Sequence, residues 1–245
     1  MTGVYPRLRP HGDSAIAVEF GDTIDADTNR RVIELEHAVQ TSNLPGVLEC
    51  VPTYCSLLVH LDPLTAEHVT LSATLVRLAH EACAGAHVRA GKGRLWRVPV
   101  TYGGDHGEDL ETLAARRGLS PKRVVELHVR PVYRVYMVGF MPGFTYLGGL
   151  DPRLATPRRR TPRSSVPGGS VSIGARQSAI GSVSGPSGWN LIGRTPVRCF
   201  HPRRDPVFLF EAGDTIVFEP ISAAQWDRLD SQSAAGETVA KCECR

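Results

Sequence analysis

The side chains best suited to chemistry crowd into residues 139–196, a stretch dense in Gly, Pro, Ser and Arg but punctuated by Phe, Tyr, Trp and Ile. Arg163 and Arg194 each stand beside or near a proline, where the backbone is restricted. A stiff backbone carrying a guanidinium fork suits a preset site for a carboxylate or phosphate. Gln177 and Ser178 lie among Gly174, Ala175, Ala179 and Gly181. Such small neighbours leave room for a ligand at the amide and the hydroxyl. Phe140, Pro142, Gly143 and Tyr146, with Phe144 between them, make an aromatic turn. Glycine permits close backbone approach, and the rings can wall an apolar pocket with the Tyr146 phenol as a polar handle. His128, at the end of a predicted helix, is the best placed of nine histidines for acid–base work. Each group has a plainer alternative: a solvated loop for Arg158–Arg160, a structural hairpin for the aromatics, and a structural histidine.

Several function classes are disfavoured by what is missing. There is no phosphate loop of the G-x-x-x-x-G-K-[ST] type, no G-x-S-x-G elbow and no H-E-x-x-H pair. The segment Arg153–Arg176 is basic but carries no aromatic, whereas single-stranded nucleic acid asks for stacking side chains among the cations. The six cysteines include no C-x-x-C pair, so scattered reduced thiols are expected and no metal site. Cys242 and Cys244 alone do not make one. A net charge of +3 is too weak to imply a polyanion. No apolar run approaches the roughly 18 residues of a membrane span, and the N-terminus lacks a secretory apolar segment. A cytoplasmic protein is the expectation.

These residues need a frame, and the periodicities supply one. Over residues 1–92 the pattern reads strand–helix–strand–strand–helix–strand. Its parts are a strand over 15–20, a helix capped by Asp25 or Asp27 with Val32, Leu35 and Val39 on one face, strands over 47–51 and 57–61, a helix over 66–84, and a last strand near Val88. The second helix carries Leu71, Leu75, Leu78 or Ala79, and Ala82 as its stripe, and Gly85 stops it. That order matches a split βαβ unit, an α+β domain. Gly91-Lys92-Gly93 marks a boundary. Over 93–225 come a strand over 96–102 with Pro99 inside, helices over 108–117 and from Ser120-Pro121 to about His128, a strand over 132–138, and short strands over 171–173, 189–192, 207–210 and 215–219. Many short strands parted by Gly/Pro turns argue for a closed antiparallel β-barrel, with residues 139–196 as its long ordered loop system. Residues 226–245 are polar and expected to be loose.

The strings GFMPGFTYLGGLDPRLATPRR, VPGGSV and PSGWNLIGRTP resemble the 5-oxoprolinase B-subunit family, also described as kinase-A inhibitor proteins and as allophanate hydrolase subunit 1. HGDSAIAVEFGD, VPTYCSLLVHLDP and VPVTYGGDHGEDL extend the resemblance over nearly the whole chain. It implies an N-terminal α+β domain and a cyclophilin-like β-barrel. It also implies a chain that works with two partners, the homologous, cyclophilin-like C subunit of 5-oxoprolinase and its A subunit, to open 5-oxoproline to glutamate. ATP and Mg would be used by the complex, with no tightly bound metal or organic cofactor in this chain. Regulation of a sensor histidine kinase, or an amide-acting role related to urea carboxylase, are the alternatives it carries. Where the family reads QTGIYP, this chain has Gln177, Ser178, Ala179, Ile180, Gly181 and Ser182. The loss of the Tyr-Pro pair leaves room for a different substrate.

Overall fold

The computed structural model describes residues 5–85 and 93–243. The expected strand near Val88, the glycine–lysine boundary at 91–92 and Cys244 lie outside them. The chain divides into two compact units, Met1–Lys92 and Gly93–Arg245.

The first unit contains β1 (Arg7–Pro10), β2 (Ala15–Glu19), α1 (Ala26–Ser42), β3 (Val47–Pro52), β4 (Ser56–Leu61) and α2 (His68–Cys83). The strands form one antiparallel sheet in the order β1-β2-β4-β3. Asp25 caps α1, its carboxylate accepting from Thr28 N–H at 2.8 Å. Val32, Leu35 and Val39 of α1, and Leu71, Leu75, Leu78, Ala79 and Ala82 of α2, meet Ile16, Val18, Leu57, Val59 and Leu61 in a single core. Strand β1 has no counterpart in the sequence reading. It holds alternating arginines rather than an apolar run, and its ladder with β2 is supplemented by Arg7 and Arg9, which both reach Glu19.

The second unit contains β5 (Leu95–Tyr102), α3 (Leu110–Arg117), α4 (Pro121–Val129), β6 (Tyr133–Val138), β7 (Thr145–Gly148), β8 (Arg163–Val166), β9 (Ser170–Gly174), β10 (Gln177–Ile180), β11 (Gly185–Ser187), β12 (Asn190–Arg194), β13 (Thr215–Pro220), α5 (Ala223–Ala234) and β14 (Lys241–Glu243). Seven strands close a barrel in the order β12-β9-β10-β7-β6-β13-β5, the seam being β12 with β5 at Gly193↔Tyr102 and Arg194↔Thr101. Every pairing around the barrel is antiparallel except β5 with β13, which is parallel. Pro99 is tolerated within β5 because β14 covers one end of that strand edge, at Leu95–Arg97, and β12 the other, at Thr101 and Tyr102. The proline falls in the gap, where no N–H is asked of it. Ser120 caps α4 with Pro121 in the first turn.

Three expectations for this unit are corrected. Residues 139–196 are not mainly a loop system. They carry β7 to β12, and Leu147, Leu154, Val171, Ile173, Ile180 and Ile192 are buried in the barrel core. The run over 207–210 is not a strand. It is tied by one bridge, Phe200↔Phe208, and by the Arg204 guanidinium, which donates to the carbonyls of Arg198 and Val207 at 2.9 and 3.3 Å. Residues 226–245 are not a loose tail as far as they are described. Helix α5 starts at a reciprocal Ser222–Gln225 capping box and buries Trp226, and β14 pairs with β5. No helix among the described residues is long and apolar enough to cross a membrane.

Candidate functional site

The residues expected to bind substrate fall in four separate settings. The first is an aromatic wall. Tyr146 on β7 stands opposite Ala179 on β10. The two-residue period of a strand places Gln177 on the same face as Ala179. Trp189 closes the wall over Gly174, where a Cβ would lie 2.5 Å from the indole. Only a glycine lets that ring lie so near the backbone. Phe144 sits 4.7 Å from Tyr146 and 6.3 Å from Trp189, centroid to centroid, and Phe140 stacks edge-on to Phe144 at 5.7 Å.

Phe140 is unusual in two ways. It is a large apolar side chain that is 67% exposed, and its φ is +71°, a region bulky residues seldom occupy. The turn that holds it is braced from both sides. Ser182 Oγ donates to the Pro142 carbonyl, and Gly143 is so near Phe200 that a Cβ there would come within 2.9 Å of its side chain. Phe140, Pro142, Gly143, Tyr146 and Gln177 are therefore brought to one region by β6, β7 and β10.

Arg158, in the run whose plainer reading is a solvated loop, joins that wall. Its guanidinium lies 5.3 Å from the Trp189 ring centroid, within cation–π range. The backbone on either side is pinned. Asn190 Nδ2 donates to the Pro157 carbonyl at 3.0 Å, and Arg159 N–H donates to the Gly188 carbonyl at 2.7 Å. Among the described residues Arg158 has no carboxylate partner. Burial raises the Tyr146 phenol above its usual range, while the charge of Arg158 acts in the opposite direction.

The second setting is a carboxylate knot that engages the Arg163 guanidinium. Asp109 is 6% exposed. It accepts from Arg163 Nη1 and Nη2 at 2.8 and 3.0 Å, from Arg159 Nη1 at 2.8 Å and from Leu191 N–H at 2.8 Å. Arg163 Nε meets Glu108 at 3.1 Å. Burial opposes ionisation of Asp109, but the bonds from Arg163 and from Leu191 N–H outweigh it and hold the carboxyl below its usual range. Asp109 precedes α3 yet accepts no cap bond there, because its oxygens are spent on the arginines.

The third setting is the barrel interior. His128 and Ser178 are fully buried. His128 Nδ1 lies 2.9 Å from Tyr102 Oη, and Nε2 lies 2.9 Å from Ser178 Oγ. Ser178 donates onward to the Ser172 carbonyl at 3.2 Å. The consistent chain is Tyr102 O–H to Nδ1, Nε2–H to Ser178 Oγ, and Ser178 O–H to Ser172 O. The imidazole stacks on Phe218 at 4.8 Å. Burial pushes its pKa down to about 3. Both nitrogens are occupied, so this neutral ring holds the interior together and stands away from the aromatic wall. The fourth setting is Arg194, whose guanidinium rests on Trp226.

None of the described cysteines is in a disulfide. Burial pushes Cys50 and Cys199 up to about 12, which makes them poor nucleophiles. No group of three or more His, Cys, Asp or Glu side chains among the described residues is arranged to hold a metal.

The packing of Trp189 gives a direct test. Gly174→Ala places a methyl group against the indole and should displace it. The expected result is a loss of about 1–3 kcal/mol in stability, with a shifted Trp189 emission. Unchanged emission in a Trp96→Phe, Trp226→Phe background would refute the close packing.

Residues 6–210 match the family described as carboxyltransferase domain, subdomain C and D. The B subunit of 5-oxoprolinase from Bacillus subtilis (strain 168) is 35% identical over 236 residues, covering 91% of this chain and 95% of that protein. The crystal structure of TTHA0988 superposes with a TM-score of 0.75 at 34% identity, over 89% of this chain and 40% of that one, so this chain spans less than half of its length. Kluyveromyces lactis urea carboxylase superposes with a TM-score of 0.76 at 19% identity, over 96% of this chain and 23% of that one, a likeness of fold.

Proposed function

Because the chain belongs to the 5-oxoprolinase B-subunit family, within the carboxyltransferase subdomain C and D group, we propose that it is the B subunit of an ATP-dependent 5-oxoprolinase. In this reading it acts in the cytoplasm with the homologous C subunit of that enzyme and its A subunit, and it is inactive alone. The observation that carries the proposal is the end-to-end similarity to a relative of that name, 91% of this chain against 95% of the relative. The aromatic wall suits the substrate's chemistry. A 5-oxoproline molecule is a flat five-membered lactam bearing one carboxylate. The ring lies against Tyr146 and Trp189, the carboxylate meets Arg158, and the Gln177 amide complements the lactam.

A lactam resists hydrolysis because its nitrogen feeds electrons into the carbonyl. ATP, with Mg, supplies a phosphoryl group to the lactam oxygen within the complex. This chain's part is to bind and orient the ring and to balance its carboxylate. Arg158→Gln should then raise KM for 5-oxoproline about tenfold or more with little change in kcat, the signature of lost ground-state binding. Equal loss in kcat with KM unchanged would reject that role.

The test of the whole reading is co-expression with the A and C subunits and measurement of glutamate release from 5-oxoproline with and without ATP. ATP-dependent release that vanishes when this chain is omitted is the expected result. A stable complex that releases nothing would reject 5-oxoproline as the substrate. The family description favours one second reading, transfer of a carboxyl group to urea or a similar amide. Substituting urea, together with a biotinylated partner, separates the two.

A further inference from the structure

Arg194 is the last residue of β12, at the seam where that strand meets both β9 and β5. Its Nε donates to the Gly168 carbonyl at 2.9 Å. Its guanidinium carbon lies 4.9 Å from the centroid of Trp226 in α5. Among the described residues the two terminal nitrogens meet no acceptor and no carboxylate. The nearest candidate counter-charge, Asp230, is already held by Arg198 at 2.5 Å. One positive charge is thus left over, half-buried and over an indole.

The surroundings have unmet polar groups of their own. Trp226 is 8% exposed, and its Nε1–H has no partner. His106 lies 4.7 Å from the same indole, and its Nδ1 is buried without a partner. Buried polar groups of this kind are seldom left unsatisfied. Burial also lowers the Arg194 pKa, with Arg198 adding to that effect and Asp230 opposing it. An arriving anion would offset the cost of burying the cation.

We propose that Arg194, backed by Trp226 and His106, is a binding site for the carboxylate group of a small molecule, distinct from the aromatic wall at Trp189. The two terminal nitrogens, without an acceptor among the described residues, match a planar carboxylate in a two-pronged grip. A single uncompensated charge matches a monoanion better than a phosphate dianion. The bond to Gly168 and the contact with the indole already restrain the guanidinium, so little side-chain freedom is lost when the ligand binds. The inference stands apart from the lactam reading, since it concerns a different arginine on a different tryptophan.

The chain holds three tryptophans, Trp96, Trp189 and Trp226, so its indole N–H resonances are few enough to follow one by one. The full-length, 15N-labelled chain is titrated with 5-oxoproline, the methyl ester of 5-oxoproline, sodium acetate, inorganic phosphate and chloride. A Trp226→Phe variant assigns the peak. A saturable shift of the Trp226 resonance with 5-oxoproline and acetate, absent with the ester, is the expected result. Arg194→Lys should weaken it at least tenfold, and Arg194→Gln should abolish it while the Trp96 and Trp189 peaks stay in place. If Arg194→Gln fails to fold, Arg194→Lys decides the matter. A shift that is linear with concentration, that survives in the variants, or that phosphate or chloride matches or exceeds would overturn the proposal. Movement of Trp189 alone would support the lactam site and refute this one. Movement of Trp226 alone would do the reverse.

Discussion

Asp109→Asn should lower the melting temperature of the barrel unit by about 10 °C, because it breaks a buried ion cluster while leaving its cations in place. Removing one partner of a buried pair costs about 3–5 kcal/mol, and each kcal/mol moves the midpoint of a unit this size by roughly 2–4 °C. Three separate elements depend on this carboxylate. It ties the segment before β8 through Arg159, β8 itself through Arg163, and β12 through the Leu191 N–H. Arg163→Gln removes the two-pronged half of the cluster and should destabilise in the same direction. The surface pair Arg123–Glu126 is 46% exposed on both sides, and Glu126→Gln should cost well under 1 kcal/mol. Thermal unfolding of the parent and the three variants is the measurement. The decisive comparison is with 5-oxoproline turnover in the proposed complex. If Asp109→Asn melts with the parent while Arg163→Gln destroys activity without destabilising, Arg163 grips substrate and does not belong to a structural cluster.

The relocation of Arg163 shows what kind of information a sequence carries. A proline beside an arginine is a local fact, and it correctly marks a stiff backbone. The partner that decides the role of that arginine lies 54 residues away, and nothing local signals it. The same holds for His128, which sits at the end of α4 as expected but meets a serine 50 residues on. Features set by neighbours in the chain are legible. The Asp25 and Ser120 caps, the apolar stripes of α1 and α2, and the cores of β5, β6 and β13 all follow from period and capping chemistry.

Strands β7, β8, β10 and β11 are not legible, for a physical reason. They are 3–4 residues long, too short to display a period. Their core contributions are single large residues such as Leu147 and Ile180 between small ones. Serine in this barrel also behaves as an interior residue. Ser170, Ser172 and Ser178 are all buried, and the hydroxyls of Ser170 and Ser178 donate to backbone carbonyls. A composition that reads as loop therefore builds a closed barrel. The aromatic wall is half legible, since Phe140, Tyr146 and Gln177 stand out from their local setting. Arg158 and Trp189 complete it through the Asn190 bond to Pro157, a contact across 33 residues.

His128 should make the barrel sensitive to mild acid, and replacing it should remove much of that sensitivity. In the folded protein burial pushes the imidazole down to about 3, whereas an exposed histidine in the unfolded chain titrates near 6.5. The folded pKa lies below the unfolded one, so between about pH 6.5 and 3 the unfolded state binds a proton that the folded state refuses. Stability from this residue is therefore fully present above about pH 7. It is lost as pH falls, at up to about 1.4 kcal/mol per pH unit. His128→Gln keeps a donor for Ser178 and an acceptor for Tyr102 but cannot titrate. It should lose about 1–2 kcal/mol at pH 8 from imperfect geometry. Between pH 6 and 4.5 its stability should fall less steeply than that of the parent, by about 1 kcal/mol per unit. Urea unfolding at several pH values reads both slopes, and the carboxylates common to the two proteins cancel in the difference. Parallel slopes would mean that the histidine is hydrated or already charged in the fold. Turnover supplies the second arm. A histidine sealed between Tyr102 and Ser178 predicts that the proposed complex, assembled with the His128→Gln chain, keeps most of its kcat at pH 8, where the fold is secure. A loss of a hundredfold or more at that pH, with stability intact, would instead return His128 to acid–base chemistry.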